Sequence, residues 1–383
     1  MIKLLPFQEQ AVDTLEYKFF SSDQQTTVFY APTGAGKTVM LISLMDRILE
    51  NKNFAHIYLE DALVDTKNVK QILLHFPNAS IIPIRHYKDV FNRRHQSYML
   101  QHQSQNLILA EKHGTLVYPG APVCQSFGNR WFYYTSCVMN CVFDCEYCYL
   151  KGMYPSGSLV IFVNLEDIFK EIRGLLSQFP VYLCVSYDTD LMAVEGLTGY
   201  VEEWARFVRD NPGLSIEVRT KSPRLCTEAI REAAPEDGRV IYALTLSPDE
   251  VIHSCEHGTG TLEGRLRAAQ SFMDAGFPVR LCFDPMIYMP GWEEVYGRMI
   301  RRASEMIDFS RVRDFSVGSF RISETYLKPM RRVLPRAAVV QYPFELTGGY
   351  YHYPAALADR MELFMEYEIR LRAEDAEIFR WEE

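Results

Sequence analysis

No stretch of this sequence approaches the roughly 20 consecutive apolar residues that a membrane-spanning helix needs. The start, MIKLLPFQEQ, lacks the apolar core of a secretory signal. Both absences predict a cytoplasmic chain with no membrane partner. Positive charge is also in short supply: 40 Lys and Arg against 49 Asp and Glu leave a net charge of -9. No global field draws in nucleic acid, so any such contact must be local. A second cysteine knuckle is missing as well. Four of the nine cysteines fall in one loop, and the rest (Cys124, Cys184, Cys226, Cys255 and Cys282) are scattered. In a reducing compartment this distribution argues against a disulfide framework and for metal or catalytic use of the loop. The scattered thiols read as small buried hydrophobes.

What is present suffices for one large α/β domain with an appendage, since the chain has 383 residues of which 48% are hydrophobic. Residues 1–60 read as helix, strand, loop, helix, strand, with the loop APTGAGKT at 31–38 following a strand and opening a helix. Backbone amides around Gly34 and Gly36 would cradle phosphates, Lys37 would reach the terminal ones and Thr38 would hold magnesium, making ATP a candidate partner. No acid ends a later strand in the place a nucleotide motor requires, and a fragment of residues 1–54 is too short to build the sheet behind such a loop.

Residues 61–130 show no clear period. From Leu159 onward, apolar runs of strand length (LVIFVN, VYLCVSYD, LSIEVRT, VIYALTLS, VRLCFDPMIY, FSVGSF) alternate with helical stretches. That alternation predicts a parallel sheet closed part way into an α/β barrel, a partial (β/α)6 arrangement, with functional side chains at the C-terminal strand ends. The stretch LADRMELFMEYEIRLRAEDAEIF reads as one long amphipathic helix. The expected divisions are a P-loop segment 1–54, a region 55–130, a barrel 131–345, and a C-terminal turn and helix 346–383.

The stretch CVMNCVFDCEYCYL spaces its thiols as Cys137-x3-Cys141-x3-Cys145-x2-Cys148. Structural zinc normally needs two knuckles well separated in sequence, approaching from opposite sides of a tetrahedron. A CxxxCxxC triplet instead suits three corners of a [4Fe-4S] cube with one iron left open. Only Cys141, Cys145 and Cys148 fit that triplet, because Asp144 stands where a triplet begun at Cys137 would need a thiol.

This loop, together with TDLMAVEGLT, VRTKS, EHGTGTLEGRLRAA, AGFPVRLCFDPMIYMPGWEEVY and KPMRRVLP in the same order, resembles the spore photoproduct lyase family of radical S-adenosylmethionine enzymes. The resemblance implies a cluster and S-adenosylmethionine as cofactors, generation of a 5′-deoxyadenosyl radical, and repair of a thymine-dimer photoproduct in DNA. It also implies a reductant such as flavodoxin or ferredoxin. Carried onto this chain, it makes Cys141, Cys145 and Cys148 cluster ligands, and Lys221 and Thr189 cofactor-binding residues. Ser247 joins that shell by its place at a strand end. Tyr147 and Tyr149 match tyrosines that pass hydrogen, with Tyr147 also beside the cofactor.

One position departs from the family. Where it places its hydrogen-donor cysteine, this chain has Tyr187. Strand alternation would turn Cys184 to the opposite face, leaving Tyr187 or Cys137 as candidate donors, or else a different substrate. Local basic residues Arg321, Lys328, Arg331 and Arg332 could neutralise phosphates, and GGYYHYP could present aromatics to an opened duplex. Residues 1–54 resemble the start of superfamily 2 helicases and type III restriction motor subunits. The alternatives are therefore a nucleotide-binding motor fragment or a zinc-stabilised DNA-binding module.

Overall fold

A computed structural model describes residues 54–121 and 124–380. The P-loop residues Gly34, Gly36, Lys37 and Thr38 lie outside the described residues.

The larger sheet contains six parallel barrel strands, Phe132–Thr135, Val181–Cys184, Leu214–Thr220, Val240–Thr245, Val279–Met286 and Asp314–Ser319, hydrogen-bonded in that order. Ile378–Arg380 adds a parallel edge beside the sixth, and Val117–Pro119 an antiparallel edge beside the first. Val181–Cys184, Val240–Thr245 and Asp314–Ser319 are buried along their whole length. Such runs belong to a parallel sheet covered by helices.

The intervening helices earn their positions locally. Tyr200–Asp210 buries Tyr200, Val201, Trp204, Ala205 and Val208, an i, i+4, i+8 stripe with its neighbours, against the sheet. Gly199, at φ +65°, ends the preceding turn. The Glu195 carboxylate then accepts from Val201 N at 2.7 Å and Glu202 N at 3.0 Å, satisfying two orphan amides of the new helix.

Two sequence expectations change. The run LVIF at 159–162 is a strand, but it pairs with Leu107–Ala110 and Val138–Met139 in a separate five-stranded sheet rather than joining the barrel. An apolar four-residue run announces a buried strand without saying which sheet buries it. The C-terminal helix stops at Arg370, and Ile378–Arg380 becomes the barrel's edge strand. Arg380 reaches back 3.3 Å to Glu362 on that helix, tying strand to helix.

A buried ionic network spans the barrel strands. Arg280, 1% exposed, pairs with Asp314 on the adjacent strand and with Glu217 two strands away on the other side, and donates to Tyr182 Oη at 2.8 Å. Arg280→Met is expected to destabilise the fold by about 3 kcal/mol, because it takes the shared buried cation from two carboxylates and leaves Glu217 to Arg219 and Asp314 to Arg313. The urea midpoint measures this, and an unchanged midpoint would contradict it.

Candidate active site

A cavity of about 470 Å³ opens at the C-terminal ends of the barrel strands. Cys141, Cys145 and Cys148 line it together with Tyr147, Tyr149, Tyr187, Thr189 and Lys221. The cysteine loop follows directly on the first barrel strand, as expected.

The loop is held from behind. Asn140, at φ +67°, turns the chain, and its amide donates to Ser156 O at 2.8 Å and Ser158 O at 2.7 Å. Tyr98 Oη donates to Asn140 Oδ1 at 3.2 Å. His102 and Gln105 each donate to the Cys141 carbonyl at 3.0 Å. Glu146 N donates to Cys255 O at 2.8 Å, where Asp144–Cys145 pairs with Glu256–His257. These bonds fix where the three sulfurs sit. Burial pushes the Cys141 thiol up to about 12 and raises Cys145 and Cys148 too, so metal binding here must displace protons.

Buried carboxylates position the aromatic and basic groups. Glu256 accepts from Tyr147 Oη, from the Arg265 guanidinium, and from Ser247 Oγ at 2.8 Å. Burial opposes its charge, but Arg265 and Lys221 more than offset that and hold its carboxyl below the usual range. Lys221 Nζ lies 5.6 Å from the Tyr147 ring centroid and makes no ion pair among the described residues. Burial opposes its charge as well, yet Cys145 and Glu256 raise it above the usual lysine range. Asp190 accepts from Thr220 Oγ1 at 2.7 Å and Lys221 N at 2.6 Å, which sets the strand end that carries Lys221. Thr189 Oγ1 is buried in the cavity wall with no hydrogen-bond partner among the described residues. Tyr149 Oη donates to Tyr187 O at 2.7 Å and reaches Asp188 Oδ1 at 3.3 Å.

Not every candidate stays at the cavity. Cys137 is fully buried in the core, its Sγ 3.9 Å from Val185 O, and does not line the cavity. Ser247 is also off the wall, braced on Glu256; Thr245, two residues earlier, lines it instead. Cys184 and Tyr187 both face the cavity: the strand ends at Cys184, so alternation does not carry through to Tyr187.

Of the basic candidates, Arg321 lines the cavity 3.9 Å from Asp284. Arg331 donates to Val340 O at 2.8 Å and Tyr342 O at 2.7 Å, so its guanidinium staples its own helix to the following turn. Lys328 pairs with Glu324, and Arg332 is exposed.

The sequence reading missed several groups. Cys124, read as a core thiol, lines the cavity and its Sγ–H donates to Tyr187 Oη at 3.7 Å. Tyr187 stacks on Tyr134 at 4.0 Å between centroids and stands 6.0 Å from Tyr149. Asp188, Asp190 and Glu256 were also unassigned, although acids placed just beyond strands, as in SYDTD, are a usable signal. For Cys124 no local pattern gave one.

Parallel strands closed part way around a cavity, with a three-thiol loop after the first strand, are the fold of radical S-adenosylmethionine enzymes. The chain belongs to the spore photoproduct lyase family, whose model matches residues 132–344. A second model, for the res subunit of type III restriction enzymes, matches residues 1–113. Spore photoproduct lyase of Geobacillus sp. (strain Y412MC61) is 22% identical over 198 residues, 51% of this chain and 57% of that protein. The Bacillus subtilis (strain 168) enzyme is 24% identical over 201 residues, 51% of this chain and 57% of that protein. The match thus spans little more than half the length of these curated relatives. A solved spore photoproduct lyase variant with bound AdoMet and dinucleoside spore photoproduct superposes with a TM-score of 0.72 at 18% identity, covering 85% of this chain and 98% of that one. Among the described residues, no helix is long and apolar enough to cross a membrane.

Proposed function

We propose that this chain is a spore photoproduct lyase that repairs the thymine-dimer photoproduct of DNA by radical chemistry. The observation that carries the reading is the convergence of Cys141, Cys145 and Cys148 on one cavity beside Lys221 and Thr189, which among the described residues have no ion-pair and no hydroxyl hydrogen-bond partner respectively. Among the described residues no three His, Cys, Asp or Glu side chains gather closely enough for a single ion. Three thiols brought to one cavity by a single CxxxCxxC loop suit the corners of a polynuclear cluster better than one tetrahedral ion.

The three thiolates would hold a [4Fe-4S] cluster, and Lys221 and Thr189 would hold S-adenosylmethionine. Bound together, these groups would supply radical chemistry capable of abstracting hydrogen from the substrate. The chain's own residues do the rest. Lys221 offers an ammonium to a carboxylate, and Thr189 Oγ1 offers a hydrogen bond that it makes to none of the described residues. Glu256 fixes the Tyr147 ring against Lys221.

Hydrogen return falls to Cys124. Burial raises its thiol, so the S–H bond is intact at neutral pH. It faces the cavity where the family's donor is replaced by Tyr187, and the Tyr187 phenol, 3.7 Å away, can restore its hydrogen by giving up its own O–H hydrogen, which moves the unpaired electron onto a Tyr187 phenoxyl beside Tyr149. Arg219, paired with Glu217 at 3.1 Å, and Arg321 stand 3.8 and 3.9 Å from Asp284 in the cavity lining, so a nucleotide phosphate that reaches them would compete with these acids for the guanidiniums.

Anaerobic reconstitution tests the cofactor set. About four irons per chain and 5′-deoxyadenosine formed under reduction are expected; a colourless zinc protein would contradict the reading.

A further inference from the structure

We propose that the basic surface formed by residues 85–95 is the docking site for an acidic one-electron carrier protein. The inference rests on the cluster reading above and concerns how electrons reach that site.

The segment RHYKDVFNRRH carries Arg85, Lys88, Arg93 and Arg94, two histidines and a single acid, Asp89, in a chain whose net charge is -9. All four cations are exposed. None of them forms an ion pair among the described residues: Arg93 Nε donates to the Asp89 carbonyl at 2.9 Å, and Lys88 Nζ lies 5.7 Å from the Tyr87 ring centroid. By contrast, Arg321, Lys328 and Arg331 in the other basic segment are already engaged by Asp284, Glu324 and backbone carbonyls. An unneutralised cluster on an acidic protein attracts a partner of opposite charge and orients it on approach.

The placement of the patch decides between partners. Behind it, Val90 and Phe91 are buried, and the Phe91 ring lies 5.4 Å from that of Tyr154, whose Oη donates to Asp188 at 2.9 Å. The helix that follows, Tyr98–Gln103, supplies Tyr98 to Asn140 and His102 to the Cys141 carbonyl, so this surface segment is stitched directly to the back of the cysteine loop. No residue between 80 and 105 lines the cavity. A substrate held on this patch would not face the cavity, whereas an electron has only to reach the cysteine loop. In the transfer, one electron would leave the reduced carrier and enter the cluster that Cys141, Cys145 and Cys148 would hold; the carrier would be oxidised, the cluster reduced, and no covalent bond on the protein would form or break.

The test uses the whole chain, with flavodoxin as the acidic probe and binding read by fluorescence anisotropy, which does not require the cluster. Raising salt from about 50 to about 300 mM is expected to weaken parent binding about tenfold. Combining Arg85→Glu, Lys88→Glu, Arg93→Glu and Arg94→Glu should weaken binding about tenfold at low salt and abolish the salt response. The gentler pair Arg93→Gln and Arg94→Gln should give a smaller loss of the same kind, which guards against misfolding of the reversed variant. In reconstituted protein, dithionite should reduce parent and variants equally while flavodoxin reduces the variants more slowly. Equal flavodoxin binding by parent and variants would overturn the proposal. So would a loss of duplex DNA affinity with flavodoxin binding intact, which would make the patch a nucleic-acid surface. Failure of the parent to take up iron strikes the cluster reading instead, and the binding measurement still decides the docking site.

Discussion

Cys141→Ala, Cys145→Ala and Cys148→Ala are each expected to abolish 5′-deoxyadenosine formation, a loss of more than about a thousandfold that exceeds the effect of altering a ligand's hydrogen-bond partner. The three thiols line one wall, and the loop bearing them is fixed by Asn140, His102 and Gln105 rather than by any one sulfur. The backbone should therefore hold when a thiol is lost, and the deficit should appear in iron content and visible absorbance rather than in folding. Cys137→Ala is the control. Its thiol is fully buried off the cavity, so iron content should stay at the parent level, with only the modest destabilisation of a small core truncation. Iron retained in Cys145→Ala, or lost in Cys137→Ala, would show that the ligands are misassigned.

Cys124→Ala is expected to separate the two halves of the reaction. Removing the thiol leaves the cysteine loop, Lys221 and Thr189 untouched, so 5′-deoxyadenosine should still form. Repaired product should fall about a hundredfold, roughly 2.7 kcal/mol of barrier, because the substrate radical loses the S–H bond nearest Tyr187. Tyr187→Phe keeps the ring stacked on Tyr134 but removes the phenol that faces Cys124; a smaller loss of product is expected, with cofactor cleavage retained. Product analysis by mass spectrometry, with substrate deuterated at the abstracted position, follows both steps at once. Full product formation by Cys124→Ala would exclude that thiol as donor.

The cysteine loop was legible because its information is local: three thiols at fixed spacing, directly after an aromatic strand. The barrel was legible for a similar reason, since fully buried parallel strands leave apolar runs that alternate with helices. The strand LVIF was recognisable as a strand and still assigned to the wrong sheet, because its partners Leu107–Ala110 and Val138–Met139 are set by tertiary pairing. Likewise the three-residue strand Ile378–Arg380 was absorbed into a helical pattern that ends earlier.

The rest of the site is long-range. Tyr147 meets Glu256 across 109 residues of sequence, and Cys124 meets Tyr187 across 63. No spacing rule links such pairs. Strand parity misled at Cys184 because the strand ends there, and a parity argument holds only inside a strand. The basic residues at 321–336 were visible as charge, but whether a charge faces solvent or a carbonyl is a property of packing. Arg331 shows this, with its guanidinium donating to the backbone carbonyls of Val340 and Tyr342 beyond its own helix.

The most direct measurement is turnover of the dinucleoside spore photoproduct by anaerobically reconstituted protein with S-adenosylmethionine and dithionite. Conversion to the unlinked thymine dinucleotide is expected, dependent on Cys141, Cys145 and Cys148 and strongly reduced in Cys124→Ala. Cofactor cleavage to 5′-deoxyadenosine with the photoproduct left unchanged would contradict it, and would leave a radical enzyme whose substrate is something else.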